Sequence, residues 1–451
     1  MATGTGKTIT SLNCILEESQ KNKGYYKFIV LVPTKALVDQ WEKEISKQFN
    51  FQKLISIKSK YFYEELKYDD EEESSCILVT YATFKSVKFQ NVFNKISYKE
   101  KFTLIADEAH NMGSSGFINV LNSLNPIKRR IGLSATPSRY FDEIGEKIVY
   151  DFFRIEIKDD EPNFTFSFNI SEAINKKPKP FLCPYEYRIK FVSLEKDELD
   201  RYRYYTRLLM NYIDKNGVLK KCVEVENFLK LRKDVIKKAR RKKEKLIKII
   251  EEIGVENFKF AFVYVPEGNE IDYTETDSDW NEGDSDEEKK IISEYTISIN
   301  KHFGNSIAIG HFTGETKERE LILNQFSTGK LQALFAMKCL DEGVDIPRTE
   351  IAIFCSSTGN PRQYVQRRGR VLRLHDNKEK AIIYDMIVIP LLSELNDNSK
   401  EYNCEKNLVE SELKRLIDFA KDSLSYDDVL LNKDLNSVCE FFKIDMNKYI
   451  N

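Results

Sequence analysis

The chain opens on MATGTGKT, Met1 to Thr8, and a loop of that spacing constrains everything behind it. Gly4 and Gly6 let the backbone turn successive N–H groups inward around an anion, Lys7 can reach the β and γ phosphates of a nucleotide, and the Thr8 hydroxyl can hold Mg2+. Met1 stands where the first glycine of the pattern would be. The following run, ITSLNCILEES, reads as a helix whose N-terminal dipole favours the same phosphates. Such a loop normally continues from a β-strand.

From Lys27 to Thr136, short apolar runs alternate with helical patterns, the signature of a parallel α/β sheet. Phe28 to Val32, Ile77 to Thr80, Thr103 to Ala106 and Arg130 to Leu133 are the expected strands. Between the first two, Leu37, Trp41, Ile45 and Phe49 recur every four residues and form one apolar helical face. A second alternating series runs from near Lys259 to near Val388 through FAFVYV, SIAIGHF, ALFAM, EIAIFCSS and AIIYDMIV. The expected fold class is therefore α/β. Two tandem parallel-sheet domains, residues 1–150 and 255–390, flank an inserted helical module at 151–254, and a helical segment follows at 391–451.

Charge limits the partners. The chain carries 70 Lys and Arg against 72 Asp and Glu, a formal net charge of -2, so any nucleic-acid surface must be local. Residues 230–248 hold eleven basic residues against Asp234 and Glu244. This segment reads either as a solvated amphipathic helix or as a phosphate-tracking face built from Lys237, Lys238, Arg240, Arg241, Lys242 and Lys243. Residues 267–288 are the reverse, with eleven acidic residues, and read as a solvent-facing insertion. The eight cysteines show no CxxC pair and no zinc-type spacing, which points to reduced, mostly buried thiols. No apolar run is long enough to span a bilayer, so no membrane partner is expected and the expected location is the cytoplasm.

Asp107, Glu108, Ala109 and His110 follow the apolar strand FTLIA and so emerge at its carboxyl end, where open α/β sheets place their ligands. With the loop at Lys7, Asp107 is placed to hold Mg2+ and Glu108 to orient and deprotonate an attacking water. Far away in sequence, QRRGRVLR at residues 366–373 puts Arg370 and Arg373 one helical turn apart. Their planar, permanently charged guanidinium forks suit a triphosphate.

In this order, MATGTGKT, DEAH, SATP (Ser134 to Pro137), DEGVDIP (Asp341 to Pro347) and QRRGRVLR resemble motifs I, II, III, V and VI of superfamily 2 helicases and translocases, over nearly all of residues 1–390. VLVPTKALVDQW, FLCPYEY, CLDEGVDIP and YVQRRGRVLR look most like the branch of restriction-enzyme motor subunits and XPB-type DNA helicases. The resemblance implies two RecA-like domains with ATP and Mg2+ in the cleft between them. Thr3, Gly4, Thr5, Gly6, Lys7, Thr8, Asp107 and Glu108 would form the first wall, with Gln366, Arg370 and Arg373 closing from the second as arginine fingers. Gly343 and Asp345 match nucleotide-contacting positions of motif V, while Ser134, Thr136 and His110 match positions that couple hydrolysis to domain movement. Pro33, Thr34 and Lys35 resemble motif Ia, and Thr80 and Tyr81 motif Ib. With Thr313 and Gly314 of the second domain, they would grip the backbone of one nucleic-acid strand.

The family also places a first core strand and an adenine-reading segment with a key glutamine before the loop, and neither is in this sequence. The expectation from that departure is a start upstream of Met1, or the remnant of an interrupted gene, with an unpaired sheet edge. Two function classes follow. One is an ATP-dependent motor, directed to DNA rather than RNA, serving restriction, phage defence or repair and working beside a nuclease or restriction subunit. The other is an impaired fragment that acts only as a nucleic-acid-binding module. An RNA-directed motor of the same superfamily is the alternative within the first class.

Overall fold

The computed structural model describes residues 1–48, 53–138, 142–159, 161–213, 220, 222–266, 285–313, 316, 318–337, 346, 348–356, 361–390 and 400–450. The first sheet is built from β1 (Lys27–Val32), β2 (Leu54–Ser56), β3 (Ser75–Thr80), β4 (Thr103–Asp107) and β5 (Arg129–Leu133), all parallel, in the order β2-β3-β1-β4-β5. Because strand side chains alternate between faces, β1 serves two cores. Phe28, Val30 and Val32 pack with Leu12 and Ile15 of the first helix, α1 (Lys7–Lys21), and with Val38, Trp41 and Ile45 of α2 (Lys35–Gln48). Ile29 and Leu31 face a cluster rich in aromatics, including Phe84, Phe89, Phe93 and Phe117. β5 is the edge strand, with Arg129 and Gly132 exposed; among the described residues no strand pairs with its outer side.

Beyond a short antiparallel hairpin of β6 (Glu156–Lys158) and β7 (Glu161–Asn163) lies the second sheet. It comprises β8 (Tyr185–Ser193), β9 (Ala261–Tyr264), β10 (Ile309–Phe312), β11 (Ala333–Ala336), β12 (Ile351–Phe354) and β13 (Ala381–Ile389), all parallel, in the order β10-β11-β9-β12-β13-β8. Five of these strands match the apolar runs of the second series. β8 does not: it lies within residues 151–254, which the sequence suggested as a separate helical module. Its Tyr185, Tyr187 and Val192 are buried in the second lobe, and Leu246, Ile249 and Ile250 of the helix Arg241–Ile253 pack on the same sheet. The helix Lys400–Ala420 covers the opposite face with Leu413, Leu416, Ile417 and Phe419. Arg415 anchors it through a 2.6 Å pair with buried Asp385, which also accepts the Tyr187 hydroxyl at 2.7 Å.

The basic run is largely committed to this packing. Lys237 and Lys242 are buried, and the Lys242 ammonium donates at 2.8 Å to the carbonyls of Ile236 and Lys237, closing the end of the helix Val223–Lys237. Arg240 pairs with Glu195 and Asp197, Arg241 donates to Ser193 at 2.6 Å, and Lys243 meets Glu294 at 2.6 Å. A continuous phosphate-tracking face over 237–243 is therefore not what the fold builds. The acidic run 267–288 lies outside the described residues apart from the first turn of the helix Ser285–Phe303.

Burial pulls Lys242 down to about 8 from its ordinary 10.5. Between those values the unfolded chain binds more protons than the folded one, so this group makes stability rise with pH. Urea denaturation of wild type and Lys242→Met is expected to give a difference that moves in favour of wild type from pH 8 to pH 10. A difference flat with pH contradicts that burial.

Candidate active site

The loop leading into α1 has the shape its residues suggested. Gly4 and Gly6 take φ +83° and +87°, a region open to glycine and costly for other residues. The Thr5 hydroxyl donates to the Ala2 carbonyl at 2.7 Å and braces the turn. The Lys7 ammonium donates to the carbonyls of Met1 and Ala2 at 3.3 and 3.4 Å, so it lies folded over the loop. Thr8, in the first turn of α1, is half-buried.

At the carboxyl end of β4, Asp107 is buried, and burial followed by repulsion from Glu108 pushes its carboxyl up to about 6. Both of its oxygens accept hydrogen bonds, Oδ2 from the Trp41 indole N–H at 2.9 Å and Oδ1 from the Glu108 backbone N–H at 3.1 Å. A desolvated carboxylate beside a second one fits a cation-binding role. With the Thr8 hydroxyl and nucleotide oxygens, Asp107 would supply the sparse, all-oxygen donor set that Mg2+ takes. Among the described residues no group of three or more His, Cys, Asp or Glu side chains forms a protein-only metal cage.

Glu108 turns the chain sharply with φ 48° and ψ 56°, a left-handed conformation that costs a non-glycine residue about 1–2 kcal/mol. The Asn111 side chain holds the turn by donating to the Glu108 carbonyl at 2.9 Å. The turn brings the Glu108 carboxylate to a small cluster. Ser134 Oγ lies 3.4 Å from Glu108 Oε2, and His110 Nδ1 lies 3.5 Å from that oxygen and 3.4 Å from Ser134 Oγ. The Thr136 N–H donates to Ser134 Oγ at 3.1 Å, so of the three residues expected to couple hydrolysis to movement, Ser134 and His110 adjoin the acid and Thr136 is tied to it through Ser134.

The second lobe reaches this cluster through the helix Pro361–Val371. Gln366 Nε2 donates to Glu108 Oε1 at 3.3 Å across the cleft. A Cβ on Gly369 would lie 2.5 Å from the Cβ of Thr3 and 3.2 Å from its carbonyl oxygen, so only glycine permits this approach. The Cγ of Arg373 lies 3.5 Å from the Cβ position of Gly4. Gln366, Gly369 and Arg370 follow the i, i+3, i+4 spacing of one helical face, whereas Arg373, expected one turn further along it, lies two residues beyond the end of the helix. The other face is internal: the Arg367 guanidinium sits 5.0 Å from the centre of the Tyr264 ring, and Arg368 donates to the Asp418 carbonyl at 2.8 Å. The segment between the lobes completes the seam. Its Phe168 carbonyl accepts the Ala2 N–H at 2.8 Å, and Leu182 bridges to Arg373. Gly343 and Asp345 lie outside the described residues.

Residues 1–139 match the family of the type III restriction enzyme res subunit, and residues 284–375 match the helicase conserved C-terminal domain. The chain is 25% identical over 390 residues to the DNA 3'-5' translocase XPB2 of Sulfurisphaera tokodaii, covering 85% of this chain and 76% of the relative. The chain is a superfamily 2 helicase related to restriction-enzyme and XPB motors. It is an ATP-hydrolysing helicase or translocase. In fold it is similar to the Hef helicase domain of Pyrococcus furiosus, with TM-score 0.50 and 18% identity over 86% of this chain and 91% of that one. It is also similar to the type ISP restriction-modification enzyme LlaBIII, whose structure is described as bound to DNA. There the TM-score is 0.57 with 16% identity, and the whole chain aligns to 31% of LlaBIII.

The residues expected to hold nucleic acid divide. Lys35 is exposed and Pro33 and Thr34 are half-buried at the head of α2. Thr80 and Tyr81 are buried: the Thr80 hydroxyl accepts the Thr83 N–H at 3.2 Å, capping the helix Tyr81–Lys85, and the Tyr81 hydroxyl donates to the Asp107 carbonyl at 2.8 Å. Tyr81 is therefore an internal brace rather than a surface for a strand. Thr313 is also buried, with its N–H on the Thr316 hydroxyl at 2.8 Å, and Gly314 lies outside the described residues. Sequence reasoning missed Trp41 and Gly369 as site residues. Trp41 was counted only as part of an apolar face, although a buried indole N–H needs an acceptor.

Gly369→Ala is expected to force the lobes apart and lower ATP turnover at least tenfold while the melting temperature stays within a few degrees. Adding Thr3→Gly, which removes the side-chain atoms that Cβ would strike and leaves only the carbonyl oxygen at 3.2 Å, is expected to restore part of the loss. A turnover unchanged by Gly369→Ala contradicts the close seam.

Proposed function

We propose that this chain is an ATP-driven motor on DNA, moving along or separating strands by opening and closing the cleft between its lobes. The observation that carries the reading is the 3.3 Å reach of Gln366 to Glu108 beside the Gly369–Thr3 approach. Loop, acids and arginine helix thereby face one another across a single cleft. In this reading Thr3 to Thr8 cradle the triphosphate of ATP, and Thr8 and Asp107, the first acid of the DEAH run, hold Mg2+. Glu108 orients and deprotonates the attacking water. Arg370 and Arg373 stabilise charge on the transferring phosphoryl group, and Gly343 and Asp345 complete the nucleotide contacts from the second lobe. Ser134, Thr136 and His110 pass the state of the cleft to the lobes. Pro33, Thr34 and Lys35 supply the grip of the first lobe.

Residues 1–150 then form the lobe that carries the loop and the acids, and β8 joins 255–390 in the lobe that carries the arginines. DNA is favoured over RNA because the XPB2 relative is named a DNA translocase and the LlaBIII structure is described as bound to DNA. The restriction-type family match favours a separate nuclease or restriction subunit as partner. No helix among the described residues is long and apolar enough to cross a membrane. We place the motor with the nucleic acid of the cytoplasm.

Phosphate release measured with duplex DNA, single-stranded DNA and RNA tests the reading. DNA is expected to stimulate release more than RNA, and Glu108→Gln to abolish it. Lys7→Ala is expected to weaken nucleotide binding, whereas Arg370→Ala should keep binding and lose about 10³-fold or more in rate, as loss of an arginine finger does. Binding of DNA without turnover by the wild-type chain would return the fragment reading. Wild-type rates in Arg370→Ala would remove the finger assignment.

A further inference from the structure

Two buried aromatic donors from separate segments end on the same residue. Trp41, 1% exposed, donates its indole N–H to Asp107 Oδ2 at 2.9 Å. Tyr81, 6% exposed, donates its hydroxyl to the Asp107 carbonyl at 2.8 Å. Each aromatic hangs from an element whose head lies at the carboxyl end of the first sheet. Trp41 sits under two turns into α2, which starts at Lys35 after Thr34. Tyr81 opens the helix that Thr80 caps.

Besides the core volume each ring fills, each adds a polar bond that fixes one part of Asp107. Close-packed elements move as units rather than deform smoothly. A shift of α2 is therefore carried to the carboxylate, and a shift of the helix Tyr81–Lys85 to the backbone beneath it.

We propose that Trp41 and Tyr81 are positioning residues that tie Asp107 to the head of α2, where the DNA-motor reading seats a strand, and to the buried helix Tyr81–Lys85 beside it. DNA seated at Thr34 and Lys35 then sets the position of the carboxylate that receives Mg2+. The inference rests on the DNA-motor reading above. It goes beyond it by naming the side chains through which one ligand changes the affinity for the other. Linkage makes that effect reciprocal.

The test is binding of a fluorescent, non-hydrolysable ATP analogue with Mg2+, with and without duplex DNA, to wild type, Trp41→Phe, Tyr81→Phe and the double variant. DNA affinity without nucleotide is measured alongside. In wild type, DNA is expected to shift the analogue Kd at least fivefold, within the usual range of coupled sites. In the double variant the shift is expected to fall below twofold while DNA affinity alone stays within twofold of wild type, a result that loss of packing would not give. A wild-type chain that binds no DNA removes the motor reading and the inference with it. DNA binding with a full shift in the double variant overturns the inference alone.

A second measurement needs no change at Trp41. The chain has two tryptophans, and Trp280→Phe leaves Trp41 as the only emitter. Its fluorescence is expected to change on saturation with DNA in the absence of nucleotide. An unchanged spectrum under those conditions also overturns the inference.

Discussion

The approach of Gly369 to Thr3 governs the architecture. With no side chain on the helix at that point, the backbones of the two lobes come close enough for Gln366 to span to Glu108 and for Arg373 to lie beside Gly4. The rest of the second lobe holds that helix in place. Arg368 and Arg367 turn inward to Asp418 and Tyr264, and Arg415 ties the last long helix to the sheet through Asp385. The arginines of this short run thus divide: Arg367 and Arg368 secure the element, and Arg373, beyond the end of the helix, lies beside Gly4.

On the first lobe the site is held in an unfavourable state by its surroundings. Glu108 occupies a left-handed backbone region and Asp107 is a carboxylate stripped of water. Each costs free energy that a relaxed loop would avoid. Asn111, Trp41 and Tyr81 keep both acids where they are through bonds at 2.8 to 2.9 Å. In the function proposed for this site, the consequence would be a preorganised acceptor for a divalent cation and a water, which needs no rearrangement of its own at the moment of reaction.

Much of this was legible in the residues because the physical signals were local and periodic. Apolar runs of β1, β3, β4 and five strands of the second sheet announced themselves, and Gly4, Gly6, Asp107 and Glu108 stood at spacings that phosphate chemistry requires. β8 escaped because its alternation of Tyr185, Tyr187 and Ile189 with Glu186, Arg188 and Lys190 stands beside a long helical, basic stretch and pairs with β13 nearly two hundred residues later. The basic run misled for a related reason. A lysine reads as solvated until tertiary packing buries its stem, as happens at Lys237 and Lys242. Tyr81 and Trp41 show the same limit: their places along the chain were clear, but which way each ring turned depended on where β4 lies relative to β1 and β3.

The central claim is that both lobes act on one triphosphate, and a structure with Mg2+, ADP and aluminium fluoride tests it most directly. The account predicts the fluoride group between the Lys7 ammonium and the Arg370 or Arg373 guanidinium, each within hydrogen-bond distance. An analogue held by the first lobe alone, with both arginines engaged elsewhere, would contradict it.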